Sequence, residues 1–224
     1  MGVSKGLYLG SIIGGYVLGS ILIGVWPIGV GPIAMEVAYW LESSPALGIG
    51  IALLIYAVVM IFVLLYKAWK VIQDGHARTS PGKAVGFLFI PFFQLYWFFQ
   101  AYWGFARDYN AYVQRHYAVS ESRTSIPKVS TGLFLAYCIL YLVSVLLSLI
   151  SGMIQTYHEL HPFFGYYDFE RNMTTISGNI SLAVFVLLIL VINTLCNAIN
   201  NLPAYPGITS GGERGLSSAS GNVV

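Results

Sequence analysis

The chain has 224 residues, of which 57% are hydrophobic and only 9% are charged, and its mean hydropathy is +0.72. Soluble domains carry roughly 25% charged residues, so this composition cannot cover a water-facing surface and predicts an integral membrane protein. The formal net charge of +2 also argues against the clustered basic face that a nucleic-acid-binding domain needs.

The first uncharged run, residues 7–26, has about the 20 residues that a helix needs to span a bilayer. It is longer than the apolar part of a signal peptide and lacks a convincing cleavage site, so we expect it to be retained as a span. Small residues at four-residue spacing let two helix backbones approach closely. Gly10, Gly14, Gly15 and Gly19 have this spacing, and we expect intramolecular packing there, with a homo-oligomer interface as the alternative.

Residues 27–45 contain three prolines and two glutamates, and we expect a short interfacial helix within them. Three further apolar runs predict transmembrane helices over 46–66, 132–151 and 179–199. The predicted fold is therefore all-α, a polytopic membrane protein with four transmembrane helices in one membrane domain and both termini in the cytoplasm. The polar, Gly/Ser-rich tail over 203–224 is expected to be flexible.

The stretch 84–105 is long and apolar enough to enter a bilayer, but it contains Pro91 and 11 aromatic residues. The loops 67–83 and 106–131 flank it and hold 8 of the 11 basic residues. If the stretch crossed the membrane, these loops would lie on opposite sides and the positive-inside bias would cancel. We therefore predict a re-entrant or interfacial segment that enters from the cytoplasmic side and breaks at Pro91, with a kinked span as the alternative. Residues 105–118 then predict an amphipathic helix along the cytoplasmic surface.

A stripe of asparagines occupies the cytoplasmic end of the last predicted helix, where buried amides need hydrogen-bond partners. Its members are Asn193, Asn197 and Asn200. We predict that this stripe docks the embedded segment, and a polar vestibule for a small solute is the alternative. The partner side chains available in that segment are Gln94, Tyr96 and Gln100.

The predicted external loop, 152–178, holds His158, Glu159 and His161. Two histidines three residues apart share a helix face and could bind one metal ion. Pro162 would end such a helix at once, so we expect a polar loop with an aromatic belt instead.

The four predicted spans contain no Asp, Glu, Lys, Arg or His, which disfavours a proton-coupled transporter. The sequence also lacks a Ser/His/Asp set, a phosphate-binding loop and paired catalytic carboxylates. Apart from the external histidine loop, the one place for catalysis is the cytoplasmic surface around His76, Asp108 and His116. We expect no enzymatic activity and no cofactor.

Residues 66–117 include the phrase RTSPGKAVGFLFIPFF. This part of the chain resembles a group of uncharacterised bacterial multi-pass integral membrane proteins, some of which carry an additional GYF-like soluble domain. The resemblance implies a bacterial inner-membrane protein and supplies no catalytic residues. We expect no additional domain of this type within the 224 residues, which argues against the partner recognition associated with it.

The expected function is that of a non-catalytic accessory or scaffold subunit. The glycine-rich first helix and the embedded aromatic segment would contact lipids, other membrane subunits or a second copy of the chain. A small-solute channel or permease lined by the Asn stripe is the alternative, and a metal-dependent membrane enzyme comes third.

Overall fold

A computed structural model describes residues 2–22, 45–117, 126–160 and 167–202. All regular structure within these ranges is helical. The α-helices are α1 (Lys5–Leu22), α2 (Pro45–Val71), α3 (Pro81–Gly86), α4 (Phe93–Tyr117), α5 (Thr131–Leu160) and α6 (Tyr167–Asn201), and a 3₁₀ turn over Phe87–Phe89 follows α3.

Three of these helices contain segments that are long and apolar enough to cross a membrane, which is consistent with an integral membrane protein. The segments are Leu47–Val71, Thr131–Ile154 and Thr175–Asn201. They correspond to the second, third and fourth predicted spans. Helix α1 is not among them, and the first predicted span continues to residue 26, beyond the described residues. The prediction of four spans is therefore not confirmed.

The predicted external loop over 152–178 requires a correction. Helix α5 runs to Leu160 and α6 already begins at Tyr167, so most of this stretch is helical. The polar residues mark where hydrocarbon-compatible sequence stops, but they do not break a helix. The predicted interfacial helix in 27–45 and the predicted tail at 203–224 lie outside the described residues, apart from Pro45, which begins α2.

Three helices begin with the same local device, a serine whose hydroxyl accepts a hydrogen bond from an amide in the first turn. The hydroxyl of Ser4 accepts from the Leu7 amide, that of Ser80 from Lys83, and that of Ser130 from Leu133, at 3.3–3.4 Å. The first amides of a helix have no partner within the helix, and such a cap satisfies one of them. The caps of α1, α3 and α5 therefore follow from the sequence.

The buried core lies at one end of the helix bundle, around α4. Helix α4 buries Tyr102, Phe105 and Tyr109 among the closing turns of α2 and α6 and the opening turns of α1 and α5. The Trp69 ring of α2 meets Phe105 edge-on, and its indole N–H donates to the carbonyl oxygen of Ala101 at 3.0 Å. In contrast, α2 leaves many apolar side chains exposed further along its length, as expected of a helix that faces lipid.

Helix α4 joins two elements that the sequence predicts separately. The sequence predicts a boundary at Phe105 between the embedded stretch 84–105 and the amphipathic helix 105–118, and the structure has no such boundary. One continuous helix runs from Phe93 to Tyr117. Its composition changes from aromatic to polar along its length, but no helix-breaking residue interrupts it apart from Gly104, which α4 accommodates.

Candidate membrane-interface site

Residues 81–105 double back on themselves, and we call this unit the aromatic hairpin. Its first arm is α3 with the 3₁₀ turn, and its second arm is the first half of α4. The Trp97 indole N–H of the second arm donates to the carbonyl oxygen of Ala84 in the first, at 3.2 Å. The ring of Phe87 also meets those of Phe93 and Trp97 edge-on, at centroid distances of 5.6 and 4.7 Å. The two arms therefore lie side by side.

The bend between the arms spans residues 90–92. Pro91 has no amide hydrogen to continue a helix, and Phe92 adopts a φ of 62°. This left-handed conformation costs a bulky residue about 1–2 kcal/mol, so contacts elsewhere must hold it. The amides of Phe93 and Gln94 donate to the carbonyl oxygens of Pro91 and Ile90, at 2.7 and 2.9 Å, and start α4 immediately after the bend.

The two ends of the hairpin are tied together by charged residues. The Arg78 backbone amide and side-chain Nε donate to the two carboxylate oxygens of Asp108, at 3.0 and 2.7 Å. A straight helix over residues 84–105 would separate its ends by about 33 Å. The chain therefore enters and leaves the hairpin at the same end of the bundle.

A second ion pair supports the same connection further from the hairpin. The Asp74 carboxylate accepts hydrogen bonds from Nη2 and Nε of Arg115, at 2.7 and 3.1 Å, and lies 3.1 Å from Nε2 of His116. Burial alone would raise the pKa of Asp74. Hydrogen bonds from the Arg115 side chain, the His76 amide and His116 outweigh that effect, and the pKa falls from 3.8 to about 2. Asp74 is therefore an anionic anchor between the α2–α3 loop and the end of α4.

An amide clamp fixes α4 to the stretch before α5. The Asn110 side chain donates to the carbonyl oxygen of Val129 at 2.9 Å and accepts from its amide at 2.8 Å. One side chain thus satisfies both backbone groups of a buried residue. This clamp holds α4 antiparallel to α5, so that Phe98 stacks on Tyr141 with centroids 4.1 Å apart.

The tip of the hairpin is apolar and exposed. Relative exposures are 66% for Phe89, 46% for Ile90 and 88% for Phe92. In α5, Tyr141 lies ten residues after Thr131, which is about 15 Å along the helix. Since Phe98 is level with Tyr141 and α4 is antiparallel, the tip lies still further along α5. A base fixed by polar contacts therefore carries an uncovered apolar tip along the flank of the bundle.

A cavity of about 210 Å³ lies behind the second arm of the hairpin. Its lining includes Tyr96 and Gln100, two of the predicted ligand or docking residues, together with Trp69, Arg78 and Thr79. The Gln100 amide nitrogen donates to the Tyr96 hydroxyl at 3.1 Å, and the buried Thr79 hydroxyl has no hydrogen-bond partner within the described structure. The cavity can hold water or a small polar group. Gln94, the third candidate of this segment, is exposed near the bend.

The Asn stripe is placed differently from the prediction. The Asn200 side chain accepts from the Val3 amide at 2.7 Å and donates to the Val3 carbonyl oxygen at 2.9 Å, so it docks the chain ahead of α1. Asn197 is exposed and Asn193 is partly buried. Apolar side chains, among them Val191, Ile192 and Leu195, form the buried face of α6. The Tyr109 hydroxyl reaches the carbonyl oxygen of Ala198 at 3.5 Å.

The predicted packing glycines divide into two pairs. A Cβ atom on Gly15 or Gly19 would lie within 3.0 Å of α2 atoms, so these two glycines let α1 approach α2. This is the predicted intramolecular packing. Within the described structure, nothing lies within 4 Å of the corresponding positions on Gly10 and Gly14.

The candidate metal site falls largely outside the described residues. His158 and Glu159 lie on the last turn of α5, and the structure does not describe their side chains, whereas His161 lies in the gap after α5. Elsewhere, the described residues contain no group of three or more His, Cys, Asp or Glu side chains that could hold a metal ion.

Comparison with known proteins gives no relative. No protein-family model matches the chain, and neither a curated protein nor a solved structure matches it.

Sequence reasoning missed three residues that shape this site, namely Asp74, Thr79 and Asn110. Each of them contacts a residue that is distant in the sequence. The Gln73 side chain donates to the carbonyl oxygen of Thr79, six residues away, and Arg115 donates to the Asp74 carboxylate, 41 residues away. For Asp74 and Asn110, the one signal in the sequence is an isolated carboxylate or amide in an otherwise apolar or basic stretch, and Thr79 carries no such signal.

Proposed function

We propose that the protein is a non-catalytic accessory or scaffold subunit of the bacterial inner membrane, which contacts lipids or partner proteins through the aromatic hairpin. The observation that carries this proposal is the contrast between the two ends of the hairpin. Its base is tied down by the Arg78–Asp108 ion pair, whereas Phe92 at its tip is 88% exposed. An uncovered apolar tip needs lipid or another protein to shield it from water.

The proposed topology has four transmembrane helices, both termini in the cytoplasm and the hairpin re-entrant from the cytoplasmic side. The contacts of Arg78 with Asp108 and of Asp74 with Arg115 support one location for both basic loops. The positive-inside rule then assigns that location to the cytoplasm. The packing of α1 along α2 supports a fourth membrane helix.

The proposed hairpin depth follows from its neighbours. About 15 Å of hydrocarbon forms one leaflet. Because Phe98 is level with a residue about 15 Å along α5 and the tip lies further along still, the tip would reach at least the middle of the bilayer. Non-helical backbone at that depth must be covered by protein. The Phe62 ring of α2 lies 5.0 Å from that of Phe89 and covers one side of the tip. A partner protein would cover the remaining, exposed side.

The resemblance of residues 66–117 to uncharacterised bacterial membrane proteins supports the proposed location. The same residues build the hairpin and its base, so the resemblance covers the site on which the proposal rests. A small-solute channel lined by Asn193 and Asn197 has less support, because Asn200 of the same stripe is engaged by Val3.

The proposal is tested by accessibility and crosslinking in intact cells. Cys138 and Cys196 are replaced by serine, and single cysteines are placed at His76, Phe92 or Gln114. We expect His76→Cys and Gln114→Cys to react with an impermeant thiol reagent only after lysis, and Phe92→Cys to remain unreactive. Labelling of Gln114→Cys from outside, without labelling of His76→Cys, would show that the hairpin crosses the membrane.

A photo-reactive amino acid at Phe92 then tests the scaffold role. We expect discrete adducts with phospholipid or with another membrane subunit, whereas the same group at exposed Gln114 should give none with lipid. Equal aqueous labelling of positions 92 and 114 would refute the embedding and, with it, the proposed function.

A further inference from the structure

An apolar groove of about 450 Å³ runs between α2 and the first arm of the hairpin. Its α2 wall is formed by Val59, Phe62, Val63 and Tyr66, which recur at helical spacing and so share one face. Its other wall is formed by Val85 and Phe89 of the hairpin. Val59, Val63 and Tyr66 are between 38% and 48% exposed, so the groove is open along its length.

Two lysines lie at one end of this groove. Lys67 and Lys70 continue the α2 wall toward the end of the helix where the basic loop begins. The ion pairs of the described structure use Asp74 and Asp108, and neither lysine has a carboxylate partner within it. The groove therefore has an apolar length and a cationic end.

The geometry around Lys67 leaves room for an anion. Its ammonium group donates to the Tyr8 hydroxyl at 2.9 Å and lies 5.3 Å from the centre of the Tyr8 ring. An ammonium group has three donors, so this contact positions Lys67 and still leaves donors for another acceptor. Lys70 is exposed one turn further along.

The length of the groove matches one membrane leaflet. Val59 and Lys70 are eleven residues apart, which is about 16 Å along an α-helix. One leaflet of hydrocarbon is about 15 Å thick. An acyl chain lying along the groove would therefore place its headgroup at the two lysines.

We infer that this groove is a binding site for an anionic phospholipid, with one acyl chain between α2 and the hairpin and the phosphate at Lys67 and Lys70. The inference rests on the proposed embedding of the hairpin, which supplies one wall. Charge complementarity selects an anionic headgroup over a zwitterionic one, because no carboxylate of the described structure neutralises these lysines. The bound lipid would also cover part of the exposed surface of Phe89.

The experiment uses the purified full chain in detergent, titrated with dioleoylphosphatidylglycerol or dioleoylphosphatidylcholine. The readout is the midpoint of thermal unfolding, followed by tryptophan fluorescence. We expect phosphatidylglycerol to raise the midpoint at lower concentrations than phosphatidylcholine. Loss of one lysine beside an anionic headgroup weakens binding about fivefold, so K70Q should lower the apparent affinity for phosphatidylglycerol by that factor. Equal protection by the two lipids would overturn the inference.

Two test variants, K70Q and V63W, each with a matched control, locate the site. K83Q removes an exposed lysine outside the groove and should leave the phosphatidylglycerol titration unchanged. V63W fills the groove and should abolish the preference for phosphatidylglycerol, whereas I51W changes an equally lipid-facing position of α2 and should not. All four variants change exposed or half-exposed positions, and circular dichroism before titration verifies their folding. Loss of the preference in K83Q and I51W as well would refute a site at this groove.

Glycerol 3-phosphate separates a lipid from a soluble anion. It carries the charge without the acyl chain, and we expect no shift of the unfolding midpoint. If glycerol 3-phosphate raises the unfolding midpoint of the unaltered chain and of V63W alike, the lysines bind a soluble anion, and the lipid inference is overturned.

Quenching of a fluorophore at Phe92→Cys by brominated lipids tests the embedding separately. If the fluorophore is quenched while both lipids protect equally, the groove inference fails and the proposed function stands. If it is not quenched, both fail.

Discussion

Replacement of Gly19 by alanine should weaken the contact between α1 and α2. A Cβ atom at this position would lie 2.8 Å from Cγ of Leu54 and 2.9 Å from the carbonyl oxygen of Gly50. The leucine can change its rotamer, but the carbonyl belongs to the helix backbone, so the helices must move apart. Overpacking of this kind costs about 1–3 kcal/mol.

Gly14→Ala is the matched control, since nothing in the described structure lies within 4 Å of an added Cβ there. Both substitutions gain up to about 1 kcal/mol of helix propensity. The propensity gain cancels in the comparison, and Gly19→Ala should be the less stable variant by about 1–3 kcal/mol.

The assay is reversible unfolding in mixed micelles at increasing SDS fraction, followed by circular dichroism. The difference in unfolding free energy between the two variants is the quantity of interest. Equal stability of Gly19→Ala and Gly14→Ala would show that α1 does not pack against α2 through this face.

Two further predictions concern the base of the hairpin. Because the pKa of Asp74 is lowered in the folded protein, its contribution to stability is complete above about pH 4 and is lost as the pH falls toward about 2. Asp74→Asn should reduce this acid sensitivity, measured as the unfolding midpoint between pH 5 and pH 2; identical pH profiles would contradict the ion pair. Asn110→Ala should lower the unfolding free energy by about 1–3 kcal/mol for each backbone group of Val129 left without a partner. Asn110→Gln, which keeps the amide but misplaces it, should be destabilised as well, and full stability of Asn110→Ala would exclude the clamp.

The broad architecture could be predicted from the sequence because apolar length and charge placement decide it. The uncharged runs correspond to the long helices α2, α5 and α6, and the proline expected to break the aromatic stretch lies at the observed bend. The location of both basic loops on one side of the membrane stays a prediction, and the contact of Arg78 with Asp108 is consistent with it. These features depend on local composition or on the membrane itself.

The tertiary partners of polar residues could not be predicted in the same way. Depth along the helix predicts that the Asn stripe docks the aromatic segment, but depth does not specify which neighbour occupies the face of Asn200. Val3 occupies it instead. The extension of α5 and α6 beyond the apolar runs was also missed, because hydropathy reports the surroundings of a helix and not its ends.

The bonds between Val3 and Asn200 join residues separated by 197 positions. During synthesis, the residues ahead of α1 emerge long before α6 exists, so this pair cannot form until nearly all of the helices have been made. Until then, the backbone groups of Val3 lack their hydrogen bonds to Asn200. The contact between the start of α1 and the end of α6 is therefore a late event in biogenesis, and it requires an intact α6.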